Sequence, residues 1–227
     1  CLLAGRTGFA WVIAFIASVA ATMTAAALAY LTYHNGVISY QMGGWAPPWG
    51  IEYVVDTANA FILLLVSSIA TMVLIYSPAS VAKEIRPGRG HLYYCMYILC
   101  LTGLLGIAIT GDAFNVFVFL EISSLSSYAL IAMGGQRKAL TAAFQYLVMG
   151  TIGATFFLIG VGLLYMMTGT LNMADLQTRI PGIQDSRPVL AAFAFITVGL
   201  ALKTALFPMH LWLPNAYAYA PSAVSAF

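Results

Sequence analysis

The chain has 227 residues, of which 62% are hydrophobic and 7% are charged, with a formal net charge of +2. Soluble domains usually carry about 25% charged residues, so this composition excludes a soluble globular protein and, with so little positive charge, a nucleic-acid-binding protein. Several apolar runs exceed the roughly 20 residues that cross a bilayer core, which predicts an all-α, polytopic bundle of transmembrane helices.

In chain order, the apolar runs predict six helices in one transmembrane domain over residues 1–227. Their predicted bounds are about 7–33, 53–76, 92–110, 114–133, 139–168 and 189–220. The first run is too long for the core of a signal peptide and is therefore predicted to be a true membrane helix. Because the chain begins at Cys1 and stops within an apolar segment, it is expected to be a fragment, incomplete at both ends.

Basic residues are concentrated in two of the predicted loops. Lys83, Arg86 and Arg89 follow the second helix, and Arg137 and Lys138 follow the fourth, whereas the loop between the first two helices has no lysine or arginine. The positive-inside rule places both basic loops, and the start of the chain, in the cytoplasm. A second interpretation gives Lys138 a pathway role, in which it biases the charge of a glutamate on the preceding helix.

That glutamate, Glu121, lies about halfway along the fourth predicted helix, in "DAFNVFVFLEISSLSSYALIAM". A charged side chain at this depth costs at least roughly 2.5 to 3.5 kcal/mol on insertion scales, so it needs a compensating use. Ser124 and Tyr128, three and seven residues on, share its helix face and can hydrogen-bond it or hold water. The pattern predicts a proton or charge site, the alternative being a protonated Glu121 that only joins two helices.

Lys203 lies too deep in the last predicted helix to reach the outer surface comfortably. A buried lysine needs an anion or water, and Glu121 is the only acid deep in a predicted helix. The two residues are therefore predicted to form a pair in which the protonation of one changes the proton affinity of the other. The alternative is a static ion pair that fixes two helices.

The last predicted helix also carries its own breakers, Pro208 and Pro214. Proline removes a backbone donor, and inside a bilayer the freed carbonyls are tolerated only where protein or water meets them, as in transport pathways. His210 lies beside Pro208 and is predicted to relay protons, because histidine titrates near neutral pH; the alternative is a structural histidine. Asp112 is predicted to be the N-cap of the fourth helix, with pathway entry as its alternative.

No residue pattern predicts a cofactor, a metal site or catalytic residues. Cys1, Cys95 and Cys100 lack the spacing of metal ligands or a disulfide framework and are predicted to be inert. The chain also lacks paired catalytic aspartates, an HExxH zinc motif and a GxSxG nucleophile elbow, which disfavours an intramembrane enzyme. The sequence instead predicts a transporter subunit without catalytic chemistry of its own.

Three blocks, "TGDAFNVFVFLEISSLSSYALIA", "LTAAFQYLVMG" with "GLLYMMTGTLNMADL", and "LKTALFPMHLWLPNAYAYAPSAVSAF", together resemble the antiporter-like proton-translocating membrane subunits. With "GGWAPPWGIEYVVDTANAFILL", they are most similar to the D-type large subunit of Mrp-type Na⁺/H⁺ antiporters, and complex I subunits are related. The resemblance matches the family's glutamate on its fifth helix to Glu121, its lysine on the broken seventh helix to Lys203, and its motif histidine to His210. It implies a fold of about fourteen helices in two inverted repeats, of which this chain reaches part of the first.

The resemblance implies a proton-translocating subunit of a multi-subunit Na⁺/H⁺ antiporter in the bacterial plasma (inner) membrane, with the Glu121–Lys203 pair as its switch. The implied partners are other integral membrane subunits, protons, Na⁺ and the lipid bilayer, without nucleic acid. One alternative is a redox-linked pump subunit of respiratory complex I or of a membrane-bound hydrogenase. An alternative of another class is a non-transporting membrane scaffold whose ion pair only holds helices together.

Overall fold

The computed structural model describes residues 7–227, which form a bundle of long helices; Cys1 lies outside these residues. The long helices are α1 Thr7–Asn35, α2 Thr57–Glu84, α3 Gly90–Ile109, α4 Ala113–Ala132, α5 Arg137–Thr168 and α7 Arg187–Lys203. The shorter ones are α6 Met173–Arg179, α8 Trp212–Tyr219 and α9 Ser222–Ala226. Helices α1 to α5 are each long and apolar enough to span a membrane, which confirms the predicted all-α membrane bundle.

The loop predicted between the first two helices contains a β-hairpin. Strands β1 Ile38–Gln41 and β2 Glu52–Val55 pair antiparallel, with Gln41 opposite Glu52. The prediction that the second helix starts near 53 is therefore wrong, and α2 begins at Thr57. The carboxylate of Asp56 accepts the backbone N–H of Asn59 at 2.7 Å, which satisfies a free donor of the first turn and fixes this start.

The predicted end of the second helix, at residue 76, is also wrong, because α2 continues through Pro78 to Glu84. Proline has no N–H, so the carbonyl of Leu74 loses its helical donor. Two side chains replace that donor: the indole Nε1 of Trp11 donates to this carbonyl at 2.8 Å, and the hydroxyl of Ser77 donates at 2.9 Å. A neighbouring helix and a local hydroxyl thus allow the helix to pass through its proline.

The last third of the chain confirms the predicted interruption. The helix predicted over 189–220 is two helices, α7 and α8, separated by residues 204–211. The preceding loop, predicted over 169–188, contains the short helix α6, which begins where the Asn172 side chain accepts the N–H of Asp175 at 3.1 Å.

Two close helix contacts position the interior. Helix α4 packs against α3 and α5, and α5 packs in turn against α7 and α8. Where α5 meets α7 the backbones nearly touch: a Cβ added at Gly199 would lie 2.7 Å from the carbonyl oxygen of Gly153. Small residues permit such close approach between membrane helices. The contact between Gly199 and Gly153 holds the end of α7 beside α4 and α5.

Candidate functional site

Lys203 and Glu121 approach one another from two different helices. Glu121 lies near the middle of α4, and Lys203 is the last residue of α7, roughly 25 Å along that helix at 1.5 Å per residue. The lysine Nζ lies 3.5 Å from Oε1 of Glu121, and the side chains are 8% and 24% exposed. The structure thus brings the two residues of the predicted pair together, at a separation near the limit of a direct hydrogen bond.

The nearest partner of the lysine is a neutral hydroxyl. Nζ of Lys203 donates to Oγ of Ser124 at 2.7 Å, so Ser124 accepts the shorter of the two bonds. Other serines of α4 behave differently, since they donate to carbonyls of their own helix: Ser123, Ser126 and Ser127. Within the described residues, no such bond is found for Ser124. Its hydroxyl is therefore directed to the ammonium.

Tyr128 follows Ser124 by one helical turn and is 5% exposed. Its hydroxyl oxygen is buried and has no hydrogen-bond partner within residues 7–227. Gly150 of α5 makes room for it, because a Cβ added there would collide with the hydroxyl. An orphaned buried hydroxyl costs about 1–3 kcal/mol, so a water molecule at this position is the simplest way for it to be satisfied.

The helix break begins directly after the lysine. Ala205 has φ +52°, a left-handed conformation that residues with a side chain rarely adopt. The N–H of Leu206 donates to the carbonyl of Ala201 at 2.9 Å, five residues back, instead of to Leu202, four residues back. The backbone hydrogen-bond pattern is thus shifted by one residue where α7 ends, directly after Lys203.

A cavity of about 400 Å³ lies against this break. Its polar lining includes the side chains of Lys203, Thr204, Ser123 and Ser127. A cavity of this size whose lining includes residues with hydroxyl groups has room and partners for water. Lys203 therefore both contacts the carboxylate of Glu121 and contributes to the lining of this cavity.

The remaining predicted residues of the last helix lie in or next to the break. Pro208 is within residues 204–211, as predicted. Pro214 does not break the helix but lies in the first turn of α8, where a missing N–H costs nothing because it would have no helical acceptor. His210 is in the break; its Nδ1 is buried without a partner in the described residues, and its ring lies 5.5 Å from that of Phe207.

Asp112 is the N-cap of α4, as the sequence predicts. Its Oδ1 accepts the N–H of Asn115 at 2.7 Å. Burial raises the pKa of the Asp112 carboxyl above its ordinary value, and the hydrogen bond from Asn115 lowers it in part. Lys138, which on the second interpretation biases the charge of Glu121, contacts Tyr219 instead. Its Nζ lies 5.3 Å from the centre of the Tyr219 ring, a cation–π contact between α5 and α8.

Two further carboxylates join distant segments and were not predicted. Glu52 of β2 accepts the Ser39 hydroxyl and, at 2.9 Å, the amide Nδ2 of Asn172. Glu84, at the end of α2, accepts both the N–H and the hydroxyl of Ser222 at 2.7 Å. The bonds to Asn172 and Ser222 span more than a hundred residues of sequence, so no local pattern indicated them. The only local signal was Asn172 itself, a residue type that favours the N-cap position, three residues before Asp175.

These observations define a class: a multi-pass helical membrane protein with a buried lysine–glutamate pair at a broken helix. The chain belongs to the family described as NADH:quinone oxidoreductase/Mrp antiporter, transmembrane, whose model matches residues 110–227. The resemblance predicted from the sequence is thereby confirmed.

Relatives of two kinds match most of the chain. It is 48% identical over 188 residues to NADH-quinone oxidoreductase subunit N of Desulforudis audaxviator, covering 83% of this chain and 37% of that protein. It is 33% identical over 199 residues to the D-type subunit of a Na⁺/H⁺ antiporter of Alkalihalophilus pseudofirmus, covering 88% and 40%. The chain therefore spans about two fifths of the length of these relatives.

Solved structures share the fold. A chain of the membrane-bound sulfane sulfur reductase, an archaeal respiratory membrane complex, is 35% identical with a TM-score of 0.89, covering 95% of this chain and 43% of that one. A chain of the Mrp complex from Dietzia sp. is 28% identical with a TM-score of 0.87, covering 99% and 41%. The fold is thus part of a larger antiporter-like one, and its structural neighbours come from multi-subunit membrane complexes.

Proposed function

We propose that this chain is part of a proton-translocating subunit of a multi-subunit Na⁺/H⁺ antiporter in the bacterial plasma membrane. The observation that carries the proposal is the placement of Lys203: its ammonium is almost fully buried, 3.5 Å from the Glu121 carboxylate, at the end of a broken helix. Intramembrane charges of this kind are costly and are typical of ion and proton pathways.

The pair functions as a switch in this proposal. While Glu121 is ionised, its negative charge stabilises the ammonium of Lys203. A proton that reaches Glu121 removes this charge, and the ammonium then keeps only the neutral hydroxyl of Ser124. Its hold on the extra proton weakens, so the proton can pass to water in the adjacent cavity, and the two sites titrate as a coupled pair.

Three further residues have supporting roles in the proposal: His210, Tyr128 and Asp112. The orphaned hydroxyl of Tyr128 lies one turn from Ser124 and supports a bound water there. His210 lies in the break, where backbone groups freed from the helix need polar partners, and is proposed as a proton relay. Asp112 is the N-cap of α4, so its contribution to proton entry acts from the end of the helix that carries Glu121.

The test uses the complete protein, expressed with the other members of its complex, in everted membrane vesicles. Glu121→Gln and Lys203→Ala are expected to abolish sodium-dependent proton movement, measured with a pH-sensitive dye, while the complex still assembles. Lys83→Ala is the matched control, because this lysine is exposed at the end of α2. Normal antiport in both site variants would overturn the proposal. Loss of assembly before loss of transport would instead favour a scaffold.

A second candidate is a proton-pumping subunit that redox chemistry in a neighbouring subunit drives. The 48% identity to NADH-quinone oxidoreductase subunit N favours it. The same vesicles separate the two functions: an antiporter moves protons when a sodium gradient is applied, whereas a redox-driven pump moves them only when an electron donor and a quinone are supplied. Glu121→Gln is expected to abolish whichever activity is present.

A further inference from the structure

The break after Lys203 deprives the backbone carbonyl of Leu202 of its helical donor. In a continuous helix, the N–H of Leu206 would donate to the carbonyl of Leu202, but here it donates to Ala201. The carbonyl of Leu202 keeps a long contact of 3.4 Å from the N–H of Ala205 and a second contact from the N–H of Thr204, neither of which is the helical bond. A buried carbonyl in this position needs another donor.

Trp212 supplies that donor from the second half of the broken helix. Its indole Nε1 donates to the carbonyl of Leu202 at 3.2 Å, in a buried bond across the break. The acceptor residue directly precedes Lys203. This bond therefore fixes the backbone from which the lysine side chain extends.

The indole is itself held by an aromatic trio, Tyr128, Tyr146 and Trp212. The rings of Tyr146 and Trp212 stack with centroids 4.1 Å apart and planes 2° apart. Tyr128 meets Tyr146 edge-on at 4.5 Å, and such pairs are favourable beyond the area they bury. Tyr128 is on α4, one turn after Ser124, the residue that accepts the hydrogen bond of the lysine. The trio therefore connects α4 at this point with the backbone next to Lys203.

A second indole in this chain makes the same type of bond elsewhere. Trp11 donates to the carbonyl of Leu74 at 2.8 Å, where Pro78 has removed the helical donor. The chemistry is the same: an indole N–H satisfies a carbonyl that a disrupted helix has freed. The location is different, because α1 and α2 carry neither Glu121 nor Lys203.

We propose that Trp212 is a positioning residue for Lys203: its N–H, held in place by Tyr146, fixes the Leu202 carbonyl and so keeps the ammonium between Ser124 and Glu121. The inference rests on the proposed transport function. Without the bond, the end of α7 is free to rotate or fray at Ala205. The ammonium then loses its short contact with Ser124, although both residues of the charged pair are still present.

The test is the pair Trp212→Phe and Trp11→Phe in the complete complex. Phenylalanine keeps an aromatic ring but removes the N–H together with the second ring of the indole, a change of volume that Trp11→Phe shares. Trp212→Phe is expected to lower the transport rate about three- to tenfold, the effect of one lost hydrogen bond, and to move the alkaline limb of the pH profile to lower pH. A displaced ammonium is less well stabilised by its oxygen partners, so it loses its proton at lower pH. Trp11→Phe is expected to keep the wild-type pH profile.

Tyr146 provides a second, independent variant. Tyr146→Leu removes the ring that orients the indole and is expected to shift the pH profile in the same direction, whereas Tyr146→Phe keeps the stack and the wild-type profile. Wild-type profiles for both Trp212→Phe and Tyr146→Leu would overturn the proposal. Loss of the Trp212→Phe protein from the membrane, with a wild-type profile for Tyr146→Leu, would assign Trp212 to folding alone and also overturn it.

The result is separable from the proposed function. If Glu121→Gln and Lys203→Ala abolish transport but Trp212→Phe and Tyr146→Leu leave the profile unchanged, only the positioning role fails. If Glu121→Gln and Lys203→Ala transport normally, the switch itself fails, and with it the reason for positioning the lysine.

Discussion

Lys203 donates its short hydrogen bond, 2.7 Å, to the hydroxyl of Ser124. The carboxylate of Glu121 lies farther from the same ammonium, at 3.5 Å. A neutral acceptor at the shorter distance stabilises the ammonium in both protonation states of Glu121. The ammonium is therefore stabilised by Ser124 as well as by the charge of Glu121. This gives Ser124 a measurable role in the proposed switch.

Ser124→Ala is the first prediction. It removes a hydrogen bond to a charged group, which contributes about 1.5–3 kcal/mol, so we expect transport per assembled complex to fall about ten- to hundredfold. Ser124→Thr keeps the hydroxyl and is expected to retain most of the rate. Ser126→Ala is the matched control, because Ser126 is as buried but donates to Ile122 within its own helix. Equal rates in the two alanine variants would contradict the assignment.

Tyr128→Phe tests the orphaned hydroxyl. Removing a buried group without a protein partner should leave the thermal stability unchanged or raise it by up to about 1 kcal/mol. Transport is expected to fall severalfold if the hydroxyl holds a water next to Ser124. Thermal unfolding of the purified complex and vesicle transport measure the two effects.

Tyr97→Phe is the matched control for this prediction. The Tyr97 hydroxyl is also buried but donates to the carbonyl of Ala70 at 2.8 Å. Its removal loses this hydrogen bond and is expected to destabilise the protein by about 0.5–1.5 kcal/mol without changing transport per complex. A stability loss in Tyr128→Phe combined with normal transport would show that its hydroxyl has only a structural role.

The charged pair could be predicted from the sequence for a physical reason. An ionisable residue deep in an apolar run is so costly that it stands out in a single chain, and Glu121 and Lys203 each met this description. Proline at 208 indicated the break equally well. Such signals depend on one residue and its immediate neighbours, which a sequence displays completely.

The rest depended on contacts between segments far apart in the chain. Trp212 lies in an aromatic segment with no feature that separates a donor from a packing residue, because its role depends on which carbonyl the break frees. The same holds for Trp11, whose bond to Leu74 lets α2 continue beyond its predicted end. A sequence displays Pro78 itself but not the neighbouring helix that offsets its missing N–H.

Asp112 yields a prediction for the pH dependence of stability. Burial raises the pKa of its carboxyl in the folded protein. Such a group stabilises the fold fully below its unfolded pKa, and this contribution is lost as the pH rises through the folded pKa. Asp112→Asn keeps a capping oxygen and carries no charge, so we expect it to unfold at a higher temperature than the wild type at about pH 7.

The difference between Asp112→Asn and the wild type should shrink as the pH is lowered toward about 4, where the wild-type carboxyl is increasingly protonated. Asp112→Ala serves as the comparison, since it also carries no charge but loses the cap, and it should be less stable than Asp112→Asn by about 1 kcal/mol across the range. Thermal unfolding in detergent at several pH values measures both. A stability advantage of Asp112→Asn that grows with falling pH would contradict the sign of the shift.

The contact between Gly199 and Gly153 gives the last prediction. A Cβ at position 199 would lie 2.7 Å from the carbonyl oxygen of Gly153 and 2.8 Å from the backbone nitrogen of Phe157. Backbone atoms cannot move aside cheaply, so Gly199→Ala is expected to destabilise the protein by about 1–3 kcal/mol. Gly199 precedes Lys203 by one turn, and pushing α7 away from α5 should also displace the ammonium and lower transport per assembled complex.

Gly162→Ala is the control, because this glycine of α5 is within a helix, as Gly199 is, but is exposed, with no neighbouring atom within 4 Å of an added Cβ. Alanine is a better helix former than glycine by up to about 1 kcal/mol, so this variant should be as stable as the wild type or more stable. Thermal unfolding and vesicle transport are measured for both variants. If Gly199→Ala matched Gly162→Ala in both measurements, the spacing of α5 and α7 would have no part in holding Lys203 against Ser124 and Glu121.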